Sequence, residues 1–541
     1  MTTSTELDPP RAPASARATE ARRIVCTNPA TREPLGEVIA NTPAEVREIV
    51  ARARAAQRSY ARSTFGERRA LLGHMLDHVL AHADDLCDVI CRDAGKTREN
   101  AMMGEVWPVA EKLRHTMKTG ERHLRPETVS AGLFVHKRAR IEYHPLGVIG
   151  VICPWNYPMQ NILGPTIPAL FAGNAVVVKV SEHVAWSSAR IVRIVHDALE
   201  RAGLSRDLVQ VVNGYGDVGA ALVSSGVDKI VFTGSMPNGR KVVEESAKTL
   251  TPVILELGGK DAFIVCDDAN IEQAAHAALA GSFIAAGQNC LAAERYLVFD
   301  AVYDAFAARV TELTRSLRQG PPLGEARVDV GAMVTSFQAK IVEDLVNDAV
   351  EKGAVVLAGG KRVLDDEGDY FAPTVLGDVP RNARILEEET FGPVIPLVRV
   401  RDEAEAIHRA NETAYGLSCT ILTQDRKRAE RMARAVVAGG TSINDFGLTY
   451  MAMDLPFGGV RGSGYGRLNG REGLRAMTNV KSVLYDRMPN TLPAKLYPVA
   501  PITYPLVREV LTTIYGRSLG TKAKGLFNLL KLAATSIRQA E

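Results

Sequence analysis

The sequence contains no uncharged apolar run that approaches the roughly 18 residues needed to cross a membrane. It has no long block of like charge either, and 65 basic against 62 acidic residues leave a net charge of +3. Both features exclude the electrostatic footprint of a nucleic-acid-binding protein. Aromatic residues make up only 6%, but the 46% hydrophobic and 23% charged fractions are typical of a folded globular chain, which excludes a fibrous architecture.

Cysteine is sparse and widely scattered. The seven residues are Cys26, Cys87, Cys91, Cys153, Cys266, Cys290 and Cys419. Disulfide frameworks belong to short secreted chains, so we expect reduced thiols and a cytoplasmic protein. Cys87 and Cys91 would share one helix face, but no His or Cys pair follows at the spacing of a zinc site. No metal is therefore expected, and these two residues are interpreted as buried thiols.

The first 23 residues are rich in Ala, Pro, Thr, Ser and Arg and lack the apolar core of a secretion signal. A transit peptide is the alternative, but Glu6, Asp8 and Glu20 disfavour it. We therefore expect a disordered arm over 1–23.

Hydrophobic periodicity divides the remaining chain. Residues 43–123 carry apolar side chains at helical spacing, and from 147 short apolar runs alternate with helical stretches. The strand candidates are 148–153, 175–180, 208–212, 229–233 and 252–255, and the crossover helices are 160–171, 184–202, 216–224 and 238–247. This alternation predicts an α/β fold with a doubly wound, Rossmann-like parallel sheet. Ligands of such sheets bind beyond the carboxyl ends of the strands.

A second alternation from about 257 to 455 predicts a separate α/β unit. Its strand candidates are 262–266, 296–298, 355–358, 394–400, 418–422 and 441–443. Residues 132–145 alternate like an exposed hairpin, and 480–486 predict one more strand; exposed strands usually find partners in another subunit. The predicted division is an arm over 1–23, a cofactor domain over 24–127 and 147–256, a catalytic domain over 257–455, an oligomerisation element over 128–146 and 480–487, and a helical extension over 488–541.

Cys290 is the first candidate for chemistry, in Gly287-Gln288-Asn289-Cys290 after an apolar helical stretch. A lone cysteine is more often a buried structural thiol. A catalytic thiol needs a base, a site for an oxyanion and an acceptor. The chain offers a candidate for each of these at a strand end, which favours the catalytic interpretation.

The base candidate is Glu256, directly after the strand 252–255, where poor solvation would raise the pKa of a carboxylate. A salt bridge with Lys260 is the alternative. The oxyanion candidate is Asn156, because an amide donates two hydrogen bonds without carrying charge. A turn-forming role before Tyr157-Pro158 is the alternative for this residue.

The acceptor candidates lie at the ends of two other strands. Lys179 can hold a ribose hydroxyl or a phosphate, and Glu182 can accept from a 2′-hydroxyl while repelling a 2′-phosphate, which favours NAD over NADP. Ser235 opens a strand-to-helix turn whose free N–H groups attract pyrophosphate, and Ser235 and Asn238 can cap the helix. The fingerprint GxGxxG is absent from this turn. The glycine-rich segment 462–466 is interpreted as a packing loop.

Together these segments resemble the aldehyde dehydrogenase superfamily, and they occur in the family's order. They are Pro154–Pro158 (PWNYP), Phe232–Gly239 (FTGSMPNG), Glu256–Lys260 (ELGGK), Gly287–Cys290 (GQNC), Glu389–Pro393 (ETFGP) and Pro456–Gly459 (PFGG). The likeness extends from about 24 to 486. Val180, where the family usually has Pro, and the unusual Met236-Pro237 depart from the pattern and bear on cofactor affinity rather than on activity.

The resemblance implies oxidation of an aldehyde to a carboxylic acid with NAD, NADP being the less favoured cofactor. Cys290 would attack the aldehyde, Asn156 and the Cys290 N–H would hold the oxyanion, and Glu256 would activate the water that hydrolyses the thioester. The cofactor site would comprise Trp155, Lys179, Glu182, Gly234, Ser235, Gly239, Leu257, Glu389 and Phe391. In the family's fold the bridging hairpin and the late strand serve subunit association, so a homodimer or homotetramer is expected.

Three alternatives stay open for the activity: acyl transfer to coenzyme A, a semialdehyde dehydrogenase, and a non-catalytic protein on the same fold. Glu256 favours hydrolysis over transfer, and the joint presence of Cys290, Glu256, Asn156 and Lys179 disfavours a structural protein. Phe446, Leu448, Tyr450, Met451 and Met453 follow Asn444 without an arginine to bind a second carboxylate. We therefore expect an apolar aldehyde of medium to long chain.

The tail after 487 carries two apolar helical stripes. They are Leu506, Val507, Val510, Leu511 and Ile514, and then Leu526, Phe527, Leu530 and Ile537 beside Lys522, Lys524, Lys531 and Arg538. Docking onto the same or a neighbouring subunit is one interpretation. A basic amphipathic helix on a membrane surface is the other.

Overall fold

The computed structural model describes residues 22–363, 368–489 and 497–538, with side chains up to residue 534. The arm predicted over 1–23 lies outside these residues except for Arg22 and Arg23, and Ile537 and Arg538 are described by their backbone alone. The described residues form two compact units, the first over 22–127 and 141–482 and the second over 128–140 and 483–538. No helix within these ranges is long and apolar enough to cross a bilayer.

The strands, numbered in chain order, are β1 Arg23–Thr27, β2 Pro34–Ile39, β3 Glu127–Val129, β4 Lys137–Pro145, β5 Val148–Ile152, β6 Ala175–Lys179, β7 Val209–Val212, β8 Lys229–Gly234, β9 Val253–Leu257, β10 Asp261–Val265, β11 Ala293–Phe299, β12 Val355–Ala358, β13 Arg362–Val363, β14 Tyr370–Phe371, β15 Thr374–Gly377, β16 Val394–Val400, β17 Cys419–Leu422, β18 Ser442–Ile443, β19 Gly464–Tyr465 and β20 Thr478–Asp486.

The helices are α1 Pro43–Tyr60, α2 Phe65–Ala81, α3 Ala83–Ala94, α4 Arg98–Ala101, α5 Trp107–Leu124, α6 Pro158–Phe171, α7 Ala185–Arg201, α8 Gly216–Val223, α9 Met236–Ala247, α10 Ile271–Phe283, α11 Asp300–Arg315, α12 Ser336–Glu351, α13 Glu403–Asn411, α14 Arg426–Ala435, α15 Leu448–Met451, α16 Gly470–Arg475, α17 Thr503–Tyr515 and α18 Leu519–Arg538. A π-helical turn, Met102–Val106, joins α4 to α5.

The first sheet has six strands in the order β19-β9-β8-β5-β6-β7. Strands β5 to β9 pair in parallel, and β19 is antiparallel to β9. Every residue of β5 and β6 is buried, as continuous Val-rich runs predict. Helices α1, α2, α3, α5, α6 and α7 contribute to the core of this sheet. The predicted Rossmann-like parallel architecture is confirmed.

The second sheet has seven strands in the order β12-β15-β16-β11-β10-β17-β18 and its own hydrophobic core. All neighbours pair in parallel except β12 and β15. The first and second sheets are joined by the three residues Gly258, Gly259 and Lys260 between β9 and β10. This short link places the end of β9 next to the start of the second sheet, which matters for the site below.

Strands β20, β4 and β3 form a three-stranded sheet in that order, and only the first part of β4 and the last part of β20 fall within the second unit. Residues 131–136 form an exposed turn ahead of β4 rather than a strand, so the predicted hairpin over 132–145 has its second strand from Lys137. The predicted strand over 480–486 corresponds to β20. Helices α17 and α18 pack against each other.

Candidate active site

Cys290 lies in the loop between α10 and β11 and differs from the other cysteines in exposure. All seven cysteines fall within the described residues; six are buried, whereas Cys290 is only half-buried. It lines a cavity of about 280 Å³ together with Glu256 and Asn156. The structure therefore brings the three predicted catalytic residues to one cavity.

The backbone before Cys290 is held in an unusual conformation. Ala285, Ala286 and Gly287 have φ values of 52°, 53° and 73°, in the left-handed region that non-glycine residues rarely adopt. A Cβ at Gly287 would overlap the carbonyl of Gly392. Two such alanines in succession store strain, which is common beside reactive groups and requires support from the surroundings.

That support comes from amide side chains. Asn100 accepts a hydrogen bond from the Ala285 N–H at 2.8 Å. The amide of Gln288 donates to the Ala285 carbonyl at 2.9 Å and accepts from the Val334 N–H at 2.9 Å. These bonds fix the turn that carries Cys290. Within the described residues the Cys290 N–H itself has no acceptor, which leaves it available to an oxyanion.

Glu256 is the fourth residue of β9 and is only 2% exposed. Its Oε1 has no hydrogen-bond partner among the described residues. Burial raises the pKa of the carboxyl to about 7, against the lowering effect of Cys290. A base of this kind changes its protonation state near neutral pH, where proton abstraction is most effective. The alternative for Glu256, a salt bridge with Lys260, is not formed, because Lys260 binds Glu294 instead.

The Cys290 thiol is held neutral by its surroundings. Burial raises its pKa well above the ordinary value, and the neighbouring Glu256 raises it further. This mutual influence places the carboxyl of Glu256 close to the sulfur. The resting site thus pairs an un-ionised thiol with a carboxyl poised near neutrality.

Asn156 follows β5 and is fully ordered by hydrogen bonds. Its Nδ2 donates to the Gln288 carbonyl at 3.0 Å, and its Oδ1 accepts from Asn161 at 3.2 Å. An amide nitrogen carries two hydrogens, so one remains for an oxyanion at Cys290. The acceptor bond from Asn161 fixes which end of the amide faces the cavity.

A buried ion pair supports the loop of Asn156. Lys96 and Glu105, 2% and 0% exposed, lie 2.8 Å apart. Lys96 donates to the Asn156 carbonyl at 2.6 Å, and Glu105 accepts from the N–H groups of Met159 and Gln160 at 2.7 and 3.1 Å. The pair therefore ties the Asn156 loop and the start of α6 to the helices before α5.

A second cavity, of about 770 Å³, lies beyond the carboxyl ends of β5, β6 and β8. Trp155, Lys179, Glu182, Gly234 and Ser235 all line it. Lys179 is buried and lies 3.2 Å from the Glu182 carboxylate. The cavity is of ordinary ligand size and lies where such sheets bind nucleotides.

The start of α9 is suited to an anion. Ser235 occupies the N-cap position by its backbone but makes no capping bond with its side chain, unlike the prediction, so the first N–H groups of the helix stay free for a phosphate. A Cβ at Gly239 would lie 2.8 Å from Leu257, so Gly239 allows α9 to approach β9. These residues fit a dinucleotide, with Gly239 and Leu257 acting through packing.

The Glu389–Phe391 segment lies beside both cavities without lining either. Glu389 packs over Gly258 and accepts from the Gly259 N–H at 3.2 Å, and burial raises its pKa. Phe391 packs edge-on against Trp155 at 5.3 Å. Buried Glu294 holds this segment by accepting from the Thr390 and Phe391 N–H groups at 2.7 and 2.9 Å.

The cavity beside Cys290 is mostly apolar. Its apolar lining includes Met103, Trp107, Leu291, Phe446, Leu448, Tyr450, Met451, Phe457 and Leu468. Four residues of the predicted substrate segment are among them, whereas Met453 is buried outside this cavity. In the segment 462–466, interpreted from the sequence as a packing loop, Gly464–Tyr465 form the short strand β19, and Gly464 pairs with Glu256 of β9.

One cation, Lys112 of α5, lines the same cavity and was not singled out from the sequence. It lies at helical spacing from buried Val109 and Thr116. A lysine on an otherwise apolar helix face is a usable signal, but long lysine side chains often cover apolar surface harmlessly. Sequence alone does not separate these two cases.

Comparison with known proteins places the chain in a family. The model of the aldehyde dehydrogenase family matches residues 16–483. A putative aldehyde dehydrogenase-like protein of Saccharomyces cerevisiae is 38% identical over 534 residues, covering 94% of this chain and 83% of that protein. The glutarate-semialdehyde dehydrogenase of Pseudomonas putida is 36% identical over 460 residues, covering 85% of this chain and 93% of that protein.

The fold gives the same result. The NAD+ complex of an aldehyde dehydrogenase from Bacillus cereus superposes with a TM-score of 0.81 at 30% identity, covering 86% of this chain and 94% of that one. The family resemblance carried by the six motifs is thereby confirmed. By sequence and by fold, this chain belongs to the NAD(P)-dependent aldehyde dehydrogenase family and is an oxidoreductase that acts on aldehydes.

Proposed function

We propose that the chain oxidises an aldehyde to a carboxylic acid through a thioester on Cys290. The thiol loses its proton to solvent, and Sγ bonds to the aldehyde carbon. The oxyanion of this thiohemiacetal accepts hydrogen bonds from Asn156 Nδ2 and the Cys290 N–H. Bound NAD(P) supplies the acceptor for the hydride that leaves this carbon, which makes the adduct a thioester.

Glu256 completes the cycle. Its carboxylate takes a proton from a water molecule, whose oxygen bonds to the thioester carbon while the bond to Sγ breaks. Cys290 recovers a proton and the carboxylic acid is released. The observation that carries this proposal is the buried Oε1 of Glu256 in the cavity of Cys290, which has no hydrogen-bond partner in the described part of the chain. Transfer to coenzyme A needs no such base, so hydrolysis is the favoured outcome.

The test separates the two half-reactions. Cys290→Ala should abolish NAD(P)H formation. Glu256→Gln should form about one NAD(P)H per subunit and then turn over roughly 10²–10⁴-fold more slowly, since a lost general base costs about that much. Loss of the Glu256 anion also removes one cause of the high Cys290 pKa, so the first step should survive.

Stopped-flow absorbance and product analysis, with and without coenzyme A, provide the measurement. Cys266→Ala is the control, because Cys266 is buried in the second core. Unchanged NAD(P)H formation by Cys290→Ala would rule out the mechanism. An acyl-coenzyme A product would replace hydrolysis by transfer.

NAD is the proposed cofactor in preference to NADP. Glu182 lies in the cofactor cavity with Lys179, where a carboxylate can accept from a 2′-hydroxyl and repels a 2′-phosphate. Glu389 and Phe391 are proposed to position the nicotinamide ribose, as the resemblance implies. The substrate is proposed to have an apolar body, which matches the apolar lining of the cavity.

Two proposals concern association. The β20 strand lies at the edge of its sheet, and we propose that it pairs with a neighbouring subunit in a homodimer or homotetramer.

We also propose that α17 and α18 bind an anionic membrane surface. Their exposed apolar side chains include Leu511, Tyr515, Leu526, Phe527 and Leu530. Residues 503–534 contain five basic residues and one acidic residue, Glu509, a composition that favours an anionic surface.

A further inference from the structure

Lys112 is a buried cation in the wall of the Cys290 cavity. It is 6% exposed and reaches the cavity from α5. Gly164 of α6 also lines the cavity and lies next to the amine: a Cβ there would be in ordinary van der Waals contact with Lys112 Nζ at 3.8 Å and with Gln160 Nε2 at 3.4 Å. The amine is thus buried in protein but adjoins the space in which a substrate would lie.

Lys112 differs from the other buried lysines in having no acid beside it. Lys96, Lys179 and Lys260 lie 2.8, 3.2 and 2.7 Å from Glu105, Glu182 and Glu294. Among the described residues Lys112 forms no ion pair, and burial alone lowers its pKa to about 7. An ammonium buried without a partner costs several kcal/mol, so its environment favours the arrival of an anion.

The group that Lys112 meets is a part of the substrate other than the aldehyde. The aldehyde carbon must lie at Cys290, and neither Cys290 nor Glu256 is hydrogen-bonded to Lys112 among the described residues. The lining of the cavity that Cys290 and Lys112 share is mainly apolar and aromatic. Such a cavity suits an apolar chain with an aldehyde at one end and an anion at the other.

We propose that Lys112 binds a carboxylate on the substrate, so that the enzyme prefers aldehydes carrying a second, carboxylate end over simple alkanals. This inference rests on the proposed aldehyde oxidation at Cys290. The segment after Asn444 has no arginine for that task, but the structure supplies the cation from a different element, α5. The three donors of an ammonium can hold both carboxylate oxygens.

Paired substrates test the proposal. Succinic, glutaric and adipic semialdehydes are compared with butanal, pentanal and hexanal in the wild type, Lys112→Met and Lys112→Arg. We expect the wild type to prefer at least one semialdehyde over its alkanal. Lys112→Met should raise the KM for that semialdehyde about 10–100-fold, the value of a charge-assisted hydrogen bond, and should change the KM of the matching alkanal by a much smaller factor. Lys112→Arg should retain part of the preference.

Lys118→Met is the matched control, because Lys118 lies on the same helix but is exposed; it should change neither substrate class. Equal losses for both classes in Lys112→Met would indicate a structural role and overturn the proposal. An unchanged semialdehyde KM would overturn it as well.

A second readout does not depend on turnover. Adipate or glutarate should slow the alkylation of Cys290 by iodoacetamide in the wild type and not in Lys112→Met. If the wild type oxidises no aldehyde, the proposed function fails, and the alkylation assay still decides whether Lys112 binds a carboxylate. Equal protection in both proteins, or none in the wild type, counts against Lys112.

Discussion

Glu182 is the residue that we propose to decide the choice between NAD and NADP. Its partner Lys179 ends β6, and both side chains border the same space. Glu244 and Glu245 line this cavity as well, so a negative charge in the cavity does not by itself assign the selection of the cofactor to Glu182. Single substitutions at Glu182 and at another of these acids separate their contributions.

Glu182→Gln should lower kcat/KM for NAD about 10–100-fold and raise it for NADP about 3–10-fold. The first effect reflects a lost charge-assisted hydrogen bond to a ribose hydroxyl. The second reflects the relief of repulsion toward a 2′-phosphate. Steady-state rates with each cofactor give the measurement. Glu245→Gln is the control, because Glu245 pairs with Lys248 at 2.6 Å; an equal effect in both variants would contradict the assignment.

Single residues were predictable where chemistry and position coincide. Asn156 and Cys290 lie in loops that follow a strand and a helix, and their motifs predicted them as site residues without coordinates. Glu256 was predicted just after the strand 252–255, but it lies inside β9, which extends to Leu257. Lys112 could not be found in this way, because its meaning depends on Gly164 next to it and on the absence of an acid nearby. Both are properties of three-dimensional packing rather than of local sequence.

Among the elements, the segment from the end of α3 to the π-helical Met102–Val106 matters most for the site. Its Lys96, between α3 and α4, and its Glu105, in the π-helical turn, hold the Asn156 loop. Because both side chains are almost fully buried, the loss of one charge leaves the other uncompensated. Through this ion pair, the proposed oxyanion site at Asn156 depends on two elements that supply no catalytic residue.

Glu105→Gln should lower the free energy of unfolding by about 3–5 kcal/mol, since Lys96 would stay buried without a counter-charge. Lys96→Met/Glu105→Gln should recover most of that loss and keep the amide acceptor for Met159 and Gln160. Its kcat should remain low, because the Asn156 carbonyl loses its donor. Denaturant unfolding and steady-state kinetics provide the two readouts.

Asp88→Asn is the control, since it breaks the exposed pair with Arg98 and should cost no more than about 1 kcal/mol. If the double variant recovers kcat together with stability, the pair has no role in positioning Asn156.

Element positions followed from periodicity, whereas unusual backbone did not. The strands predicted over 148–153 and 394–400 agree with β5 and β16 almost to the residue, because continuous apolar runs between turn residues define them. The two-residue strands β13 and β14, the short β15 and the π-helical turn were not predicted. Short elements carry too few residues to show a period, and left-handed Ala285 and Ala286 are imposed by tertiary contacts.

At the scale of the whole molecule, the second unit combines a sheet edge with two helices that expose apolar and basic side chains. The predicted domain boundaries stay a prediction. So do the cytoplasmic location and the oligomeric state. The helices α17 and α18 allow the sharpest test, because their proposed partner is a lipid surface.

The full-length protein should co-sediment with phosphatidylserine vesicles and not with neutral ones. Lys522→Glu/Lys524→Glu should weaken binding by more than about 30-fold, since each lost basic residue near an anionic surface costs about 1 kcal/mol and the new carboxylates are repelled by the surface. Phe527→Ser/Leu530→Ser should weaken it by loss of apolar contact. Arg47→Glu, an exposed change on α1, should have no effect.

Light scattering on the same variants reports the subunit number. Negligible binding of the wild type to both vesicle types excludes the membrane proposal. A change from oligomer to monomer in the helix variants assigns these helices to a subunit contact instead. A monomeric wild type contradicts the proposed pairing of β20.

The three-residue link between β9 and β10 has a mechanical consequence. Glu256 is the penultimate residue of β9 in the first sheet, whereas Cys290 precedes β11 of the second. The proposed base and the proposed nucleophile therefore come from two different sheets of one compact unit, and Gly258-Gly259 lie in the link between these sheets. A small rotation at this link would change the distance between Glu256 and Cys290 while both sheets stay intact. We therefore expect heat or pressure to abolish enzymatic activity before either sheet unfolds.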